Sequence, residues 1–271
     1  MKLKATFILS LTLLFPCVLL AQDLLKPFNI KVTYELSFQQ DSTEAAQIQE
    51  VMFLFIKDGE SLFESANSFY NDSLRHRRET GDENVKGGNQ WSEFQFRIYK
   101  SNNNQIQVFD AITENSEDNE YFTYTENKSV LNWQIHADTA TIGNFPVQKA
   151  TVSYGGRNWT AWFTPEIPIS DGPYKFSGLP GLILEISDNR NHYNFSLMGI
   201  KQQELNVFVP HTRKPIKTSK KQYFKAVERY RSNPFGYAQQ SGREFISGQD
   251  EIKKSLELFV SQRNNPIELE P

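Results

Sequence analysis

The sequence predicts a mainly β (α+β) protein: an antiparallel meander or open half-barrel followed by C-terminal helices. Three observations carry this expectation. Apolar and polar residues alternate along much of the chain, the mark of strands with one buried face. Short runs of this kind are separated by clusters of Asn and Gly that suit tight turns. Beyond Ser219 the apolar spacing changes from a period near two to a helical one. With 271 residues, 38% hydrophobic and 13% aromatic, the chain can bury a sizeable core without metals or disulfides.

The first segment, residues 1–21, reads as an export signal. Lys2 and Lys4 supply a positive start, an apolar run follows from Ala5 to Leu20, and Ala21 offers a small residue for cleavage. Pro16 interrupts the run and no basic stop-transfer cluster follows it, so no membrane span is expected after cleavage. Pro16 also occupies the place where lipidation of Cys17 would need a small residue. Cys17 is the single cysteine, so the mature chain is expected to hold no thiol, disulfide or cysteine metal site. The formal net charge of -3 and the lack of a long basic block argue against nucleic acid as a partner.

Ile30 to Phe38 is the clearest strand: Ile30, Val32, Tyr34, Leu36 and Phe38 alternate with Lys31, Thr33, Glu35 and Ser37. Val51 to Ile56 is almost wholly apolar, as expected of a strand covered on both faces. Ser61 to Thr80 and the hydrophilic run to Gln90 hold few strand formers and suggest a short helix or a surface loop. Further strands are expected at Phe94–Tyr99, Gln105–Phe109, Tyr121–Thr125, Ala150–Tyr154, Trp159–Phe163, Leu182–Ile186 and Tyr193–Met198. Tyr223, Phe224, Val227 and Tyr230 fall at helical spacing, as do Ile252, Leu256, Leu258 and Phe259, with a Gly-containing link at Pro234–Gly248. The division expected is thus a signal over 1–21, a β domain over 22–215 and a helical region over 216–271.

The most distinctive stretch is Gly172-Pro-Tyr-Lys-Phe-Ser-Gly-Leu-Pro-Gly-Leu-Ile183. Pro180 and Gly181 fit the central positions of a type II turn over Leu179–Leu182, with Gly181 supplying a positive φ. This makes the segment a tight corner feeding a core strand. A glycine-rich ligand loop is the alternative, although it has neither P-loop nor dinucleotide spacing. The run Gly178 to Ile183 resembles the name-giving motif of the GLPGLI family, exported proteins typical of Bacteroidetes. Trp162 to Ile169, Gly172 to Phe176, Trp133, Gln148 to Ala150, Gly156-Arg157 and Ser61 to Phe63 are similar to further parts of that family. Val147 departs from it, standing where relatives often carry cysteine. The resemblance implies an envelope or secreted protein of uncharacterised function and supplies no catalytic residues.

Local chemistry gives little more. His76, His136, His192 and His211 are far apart and form no metal-binding spacing, so no metal or cofactor is expected. Acid pairs such as Asp82 and Glu83, or Asp118 and Glu120, sit in polar stretches. Glu166 and Asp171 flank the signature segment, and Ser177 has no recognisable base. Trp159 and Trp162 lie three apart on an expected strand and should face opposite ways, one toward the core and the other toward a groove or a covering helix. The candidate ligand- or partner-binding residues are therefore aromatic and turn-forming: Trp162, Tyr174, Phe176, Gly178, Pro180 and Gly181. The expected function is that of an exported periplasmic, envelope or secreted protein, a non-enzymatic binding or scaffold module for an apolar ligand, a peptide or a partner protein. The alternative is a hydrolase whose site assembles only in three dimensions.

Overall fold

A computed structural model describes residues 25–82, 84–112, 121–209, 215–240 and 247–271. The expected export signal, Cys17, Glu83, Asp118, Glu120 and His211 lie outside these residues. Twelve strands form one open sheet in the order β12-β6-β5-β4-β3-β2-β1-β11-β10-β9-β8-β7. They are β1 (Leu25–Phe38), β2 (Ile48–Lys57), β3 (Glu60–Ser65), β4 (Arg97–Lys100), β5 (Gln105–Ala111), β6 (Tyr121–Asn127), β7 (Gln134–Ile142), β8 (Phe145–Tyr154), β9 (Arg157–Thr164), β10 (Leu182–Asp188), β11 (Tyr193–Phe208) and β12 (Ile216–Lys217). Two antiparallel meanders, β1 to β6 and β7 to β11, are joined where β1 pairs with β11. The short β12 adds a parallel pairing, beside β6. Helices α1 (Ala66–Glu79), α2 (Lys220–Ser232), α3 (Pro234–Gln240) and α4 (Gln249–Ser261) complete the described elements. None of them is long and apolar enough to cross a membrane.

The alternation in β1 is realised as expected: Val32, Tyr34, Leu36 and Phe38 are all buried in the principal core. The unbroken apolar run of β2 has a cause in its two covered faces. Met52, Leu54 and Ile56 enter the principal core, whereas Phe53 and Phe55 enter a second core with Phe28 and Leu62. Phe69 of α1 closes that second core, 5.1 Å from the Phe55 ring. The principal core is covered by residues 165–181, by α2 through Tyr223 and by the C-terminal segment through Ile267.

Four local expectations are corrected. Glu60–Ser65 is a strand rather than helix or loop, and α1 starts only after Ser65, whose side chain accepts from the Asn67 amide as N-cap. Half of the expected link at Pro234–Gly248 is α3, where proline at the first helical position suits a helix start. The expected helical region opens with the two-residue strand β12 before Ser219 and Gln222 form a capping box on α2. Strand β7 was not expected at all. It is an edge strand whose residues are mostly exposed, so it has no apolar face to betray it.

Candidate functional site

The segment between β9 and β10 folds back over the sheet as an irregular cover. Lys100 of β4 is fully buried and holds it from beneath: its Nζ lies 2.5 Å from Asp171 Oδ1 and donates to the carbonyls of Gly172 (2.7 Å) and Tyr174 (3.1 Å). Asp171 is therefore occupied by a lysine, while Glu166 is exposed. Burial lowers the pKa of Lys100 despite the neighbouring Asp171. Tyr174 adopts φ +53, a left-handed conformation unusual for a bulky residue and held here by its surroundings. Its neighbour Phe176 is fully buried, with ring centroids of Trp159, Tyr174, Tyr154 and Trp133 at 4.7, 6.0, 6.2 and 6.2 Å.

Between these two aromatics Lys175 points into a square of alternating charges. Its Nζ is 2.5 Å from Glu126 Oε1 and 2.5 Å from Glu268 Oε1. Lys220 closes the other side, 3.0 Å from Glu126 Oε2 and 2.6 Å from Glu268 Oε2. The contact to Glu268 Oε2 is an ion pair outside hydrogen-bond geometry. Tyr174 and Tyr154 add hydroxyl donors, to Glu268 Oε1 (2.5 Å) and Glu126 Oε2 (2.8 Å). Burial opposes the charge on Glu268, yet Lys175 and Lys220 hold its carboxyl below the ordinary value. The square ties together β6, α2, the cover segment and the C-terminal segment, four parts remote in sequence.

A second buried cluster fastens the C-terminal segment. Arg157 pairs with Asp188 at 2.9 Å and donates to Ile267 O (2.9 Å), Pro266 O (2.6 Å) and Asn265 Oδ1 (2.7 Å). The Tyr193 hydroxyl donates to Asn265 O at 2.6 Å, and the Leu269 amide to Gly155 O at 2.7 Å. The segment runs so close to the β8–β9 turn that a Cβ on Gly155 would lie 2.7 Å from Glu268 Cγ.

Above the square, α2, β5, β6 and the C-terminal segment enclose a cleft of about 850 Å³. Phe96, Val108, Tyr223, Phe224, Val227 and Ile267 give it apolar walls, and Asp110, Tyr124, Tyr174 and Glu268 contribute polar atoms. Asp110 accepts from the Tyr223 hydroxyl at 2.7 Å and from the Ala111 amide at 2.9 Å. Burial raises its pKa to about 6 against those two donors.

Of the six residues selected from sequence, Tyr174 lines this cleft. Phe176 and Gly181 are buried, Trp162 is half-buried, and Gly178 and Pro180 are exposed. Trp159 and Trp162 do differ in burial, Trp159 being the core residue. The expected type II turn is corrected. Gly181 lacks a positive φ, and its amide donates to Leu179 O at 2.8 Å, an i to i+2 bond that makes a γ-turn about Pro180. Glycine is required there by close approach, because a Cβ on residue 181 would sit 2.0 Å from Thr164 O. The positive φ belongs to Gly178, at +98.

The three described histidines remain apart: His76 packs edge-on against Phe208, His136 contacts Thr151, and His192 lies beside Asn265. Ser177 Oγ is buried and has no hydrogen-bond partner among the described residues. Sequence reasoning missed Lys175, Glu268, Arg157 and Asp110. A lysine enclosed by Tyr174 and Phe176 was a usable signal; the partners of these groups, up to 114 residues away, left none.

A family model described as "Protein of unknown function (Porph_ging)" matches residues 156–185. The matched stretch holds Arg157, Asp171, Lys175 and the Gly178–Ile183 run, so it supplies the anchor of the C-terminal segment and the buried lysine of the square. No curated protein matches the chain. Two crystal forms of PNGF-II have similar folds, with TM-scores of 0.51 and 0.50 at 14% and 13% identity. The similarity covers 75% of this chain and 34% and 33% of those chains, so this chain spans about a third of their length.

Proposed function

We propose that this protein is an exported, non-enzymatic binding module of the cell envelope, a member of the GLPGLI family, whose cleft beneath α2 receives an apolar ligand. The observation that carries this reading is the cleft itself: about 850 Å³, within the range of small-molecule sites, apolar along its walls and furnished with a few polar groups. Its floor supports binding rather than catalysis. Glu268 is engaged by two lysines and Asp110 by Tyr223, so both carboxylates already serve structural partners.

The exposed turn at Gly178 and Pro180, with half-buried Trp162, offers a separate contact for a peptide or partner protein. The hydrolase alternative rests on Asp110, a cleft carboxyl with a pKa of about 6. Titration with N-phenyl-1-naphthylamine, a neutral apolar fluorophore, tests the proposal. The expected result is saturable binding that Val227→Asp abolishes without loss of the fold. Absence of binding, or binding indifferent to Val227→Asp, rejects the cleft as an apolar site.

A further inference from the structure

Arg231 is a half-buried cleft cation that no counter-charge answers among the described residues. It lies on the last turn of α2, half-buried, and lines both the main cleft and a smaller neighbouring one of about 230 Å³. One of its terminal nitrogens donates to the Arg263 carbonyl, a neutral acceptor. Among the described residues no carboxylate pairs with it. The nearby acids are committed elsewhere: Glu93 to Arg263 at 3.1 Å, Asp110 to Tyr223, and Glu268 to the two lysines. Partial burial lowers the Arg231 pKa, with only Tyr193 and Tyr230 acting against that effect.

A guanidinium withdrawn from water without a counter-charge is costly, and an incoming anion that offers two oxygens to its planar fork removes that cost. The same helix presents Lys221 and Lys225 to the cleft, exposed and without ion pairs among the described residues, against the single acid Glu228. The entrance is thus basic while Phe224, Val227 and Ile267 make the wall beside it apolar.

Resting on the apolar-cleft reading, we infer that the ligand is an amphipathic anion. It is a single-chain carboxylate whose head pairs with Arg231 and whose chain lies along Phe224, Val227 and Ile267. Orientation of the head away from Asp110 follows, since that carboxyl repels it when ionised.

Displacement of N-phenyl-1-naphthylamine by dodecanoate and by dodecan-1-ol tests this, because the two share a chain and differ in the head. Dodecanoate should bind about tenfold tighter than the alcohol, the gain of one charge-assisted pair. Arg231→Gln should erase that difference and leave alcohol binding in place, Arg231→Lys should retain part of it, and Phe224→Ala should weaken both. Equal displacement by acid and alcohol, or a preference that survives Arg231→Gln, overturns the anion assignment while the apolar cleft stands. If neither the fluorophore nor the alcohol binds, the cleft reading falls and this inference falls with it. Thermal melting of each variant separates lost binding from lost folding.

Discussion

Replacing Arg157 with methionine should detach the C-terminal segment and destabilise the whole fold. The side chain is almost fully buried and its guanidinium meets one carboxylate and three oxygens of Asn265, Pro266 and Ile267. Methionine fills much of the volume but leaves Asp188 as an uncompensated buried charge. Breaking a buried pair in this way costs about 3–5 kcal/mol. Against a total stability of roughly 5–15 kcal/mol this is a large share, and at about 2–4 °C per kcal/mol it lowers Tm by roughly 6–20 °C. Urea unfolding followed by tryptophan fluorescence gives the loss. Hydrogen exchange at the Leu269 amide, bonded to Gly155 O in the wild type, reports release of the segment. The second substitution Asp188→Asn should recover part of the loss, because it removes the stranded charge and can still accept from the Tyr193 amide. A loss below about 1 kcal/mol, or no recovery with Asp188→Asn, would refute the reasoning.

Gly181→Ala should cost about 3 kcal/mol or more, since even a methyl group meets the Thr164 carbonyl. Gly181→Asn should be no milder than Gly181→Val in the same unfolding assay, as a φ-based requirement would not predict. Burial holds Glu64 at about 7, against the pull of Arg97 and with repulsion from Asp72, and holds Asp110 at about 6. Both folded values lie above the unfolded ones, so the folded state binds more protons in that window and stability should rise as pH falls from 8 toward 5. Glu268 acts oppositely: its folded value is lowered, so its contribution is lost as pH falls below the ordinary carboxylate value through the folded one. Melting across this range should therefore peak in mild acid, and Glu64→Gln should flatten the rise; a Tm that falls from pH 8 to 6 contradicts it. Ser219→Ala removes the capping box of α2 and should cost about 1 kcal/mol, read by the same melts.

Much of the sheet was legible because its strands carry their burial in their own sequence. The alternation of Val32, Tyr34, Leu36 and Phe38 and the double-sided run of β2 each state which faces are covered. Turn residues then placed the boundaries. What failed had no local signature. β7 exposes most of its residues, and β3 reads as part of the polar segment that follows it. The site was less legible still. Tyr174 was found as an aromatic in a distinctive segment, but the charged square depends on pairing Lys175 with Glu126 and Glu268, 49 and 93 residues away. Gly181 was rightly singled out as a constrained glycine for a reason the chain does not display: its requirement is the Thr164 carbonyl on β9, visible only after folding.

The cleft reading is tested most directly by backbone amide NMR of the protein titrated with N-phenyl-1-naphthylamine. The account predicts saturable shifts grouped at Val108, Val227, Ile267 and Leu269, around the walls of the cleft. Shifts confined to Gly178, Gly181 and the Trp162 indole, or no saturable shifts at all, would contradict it.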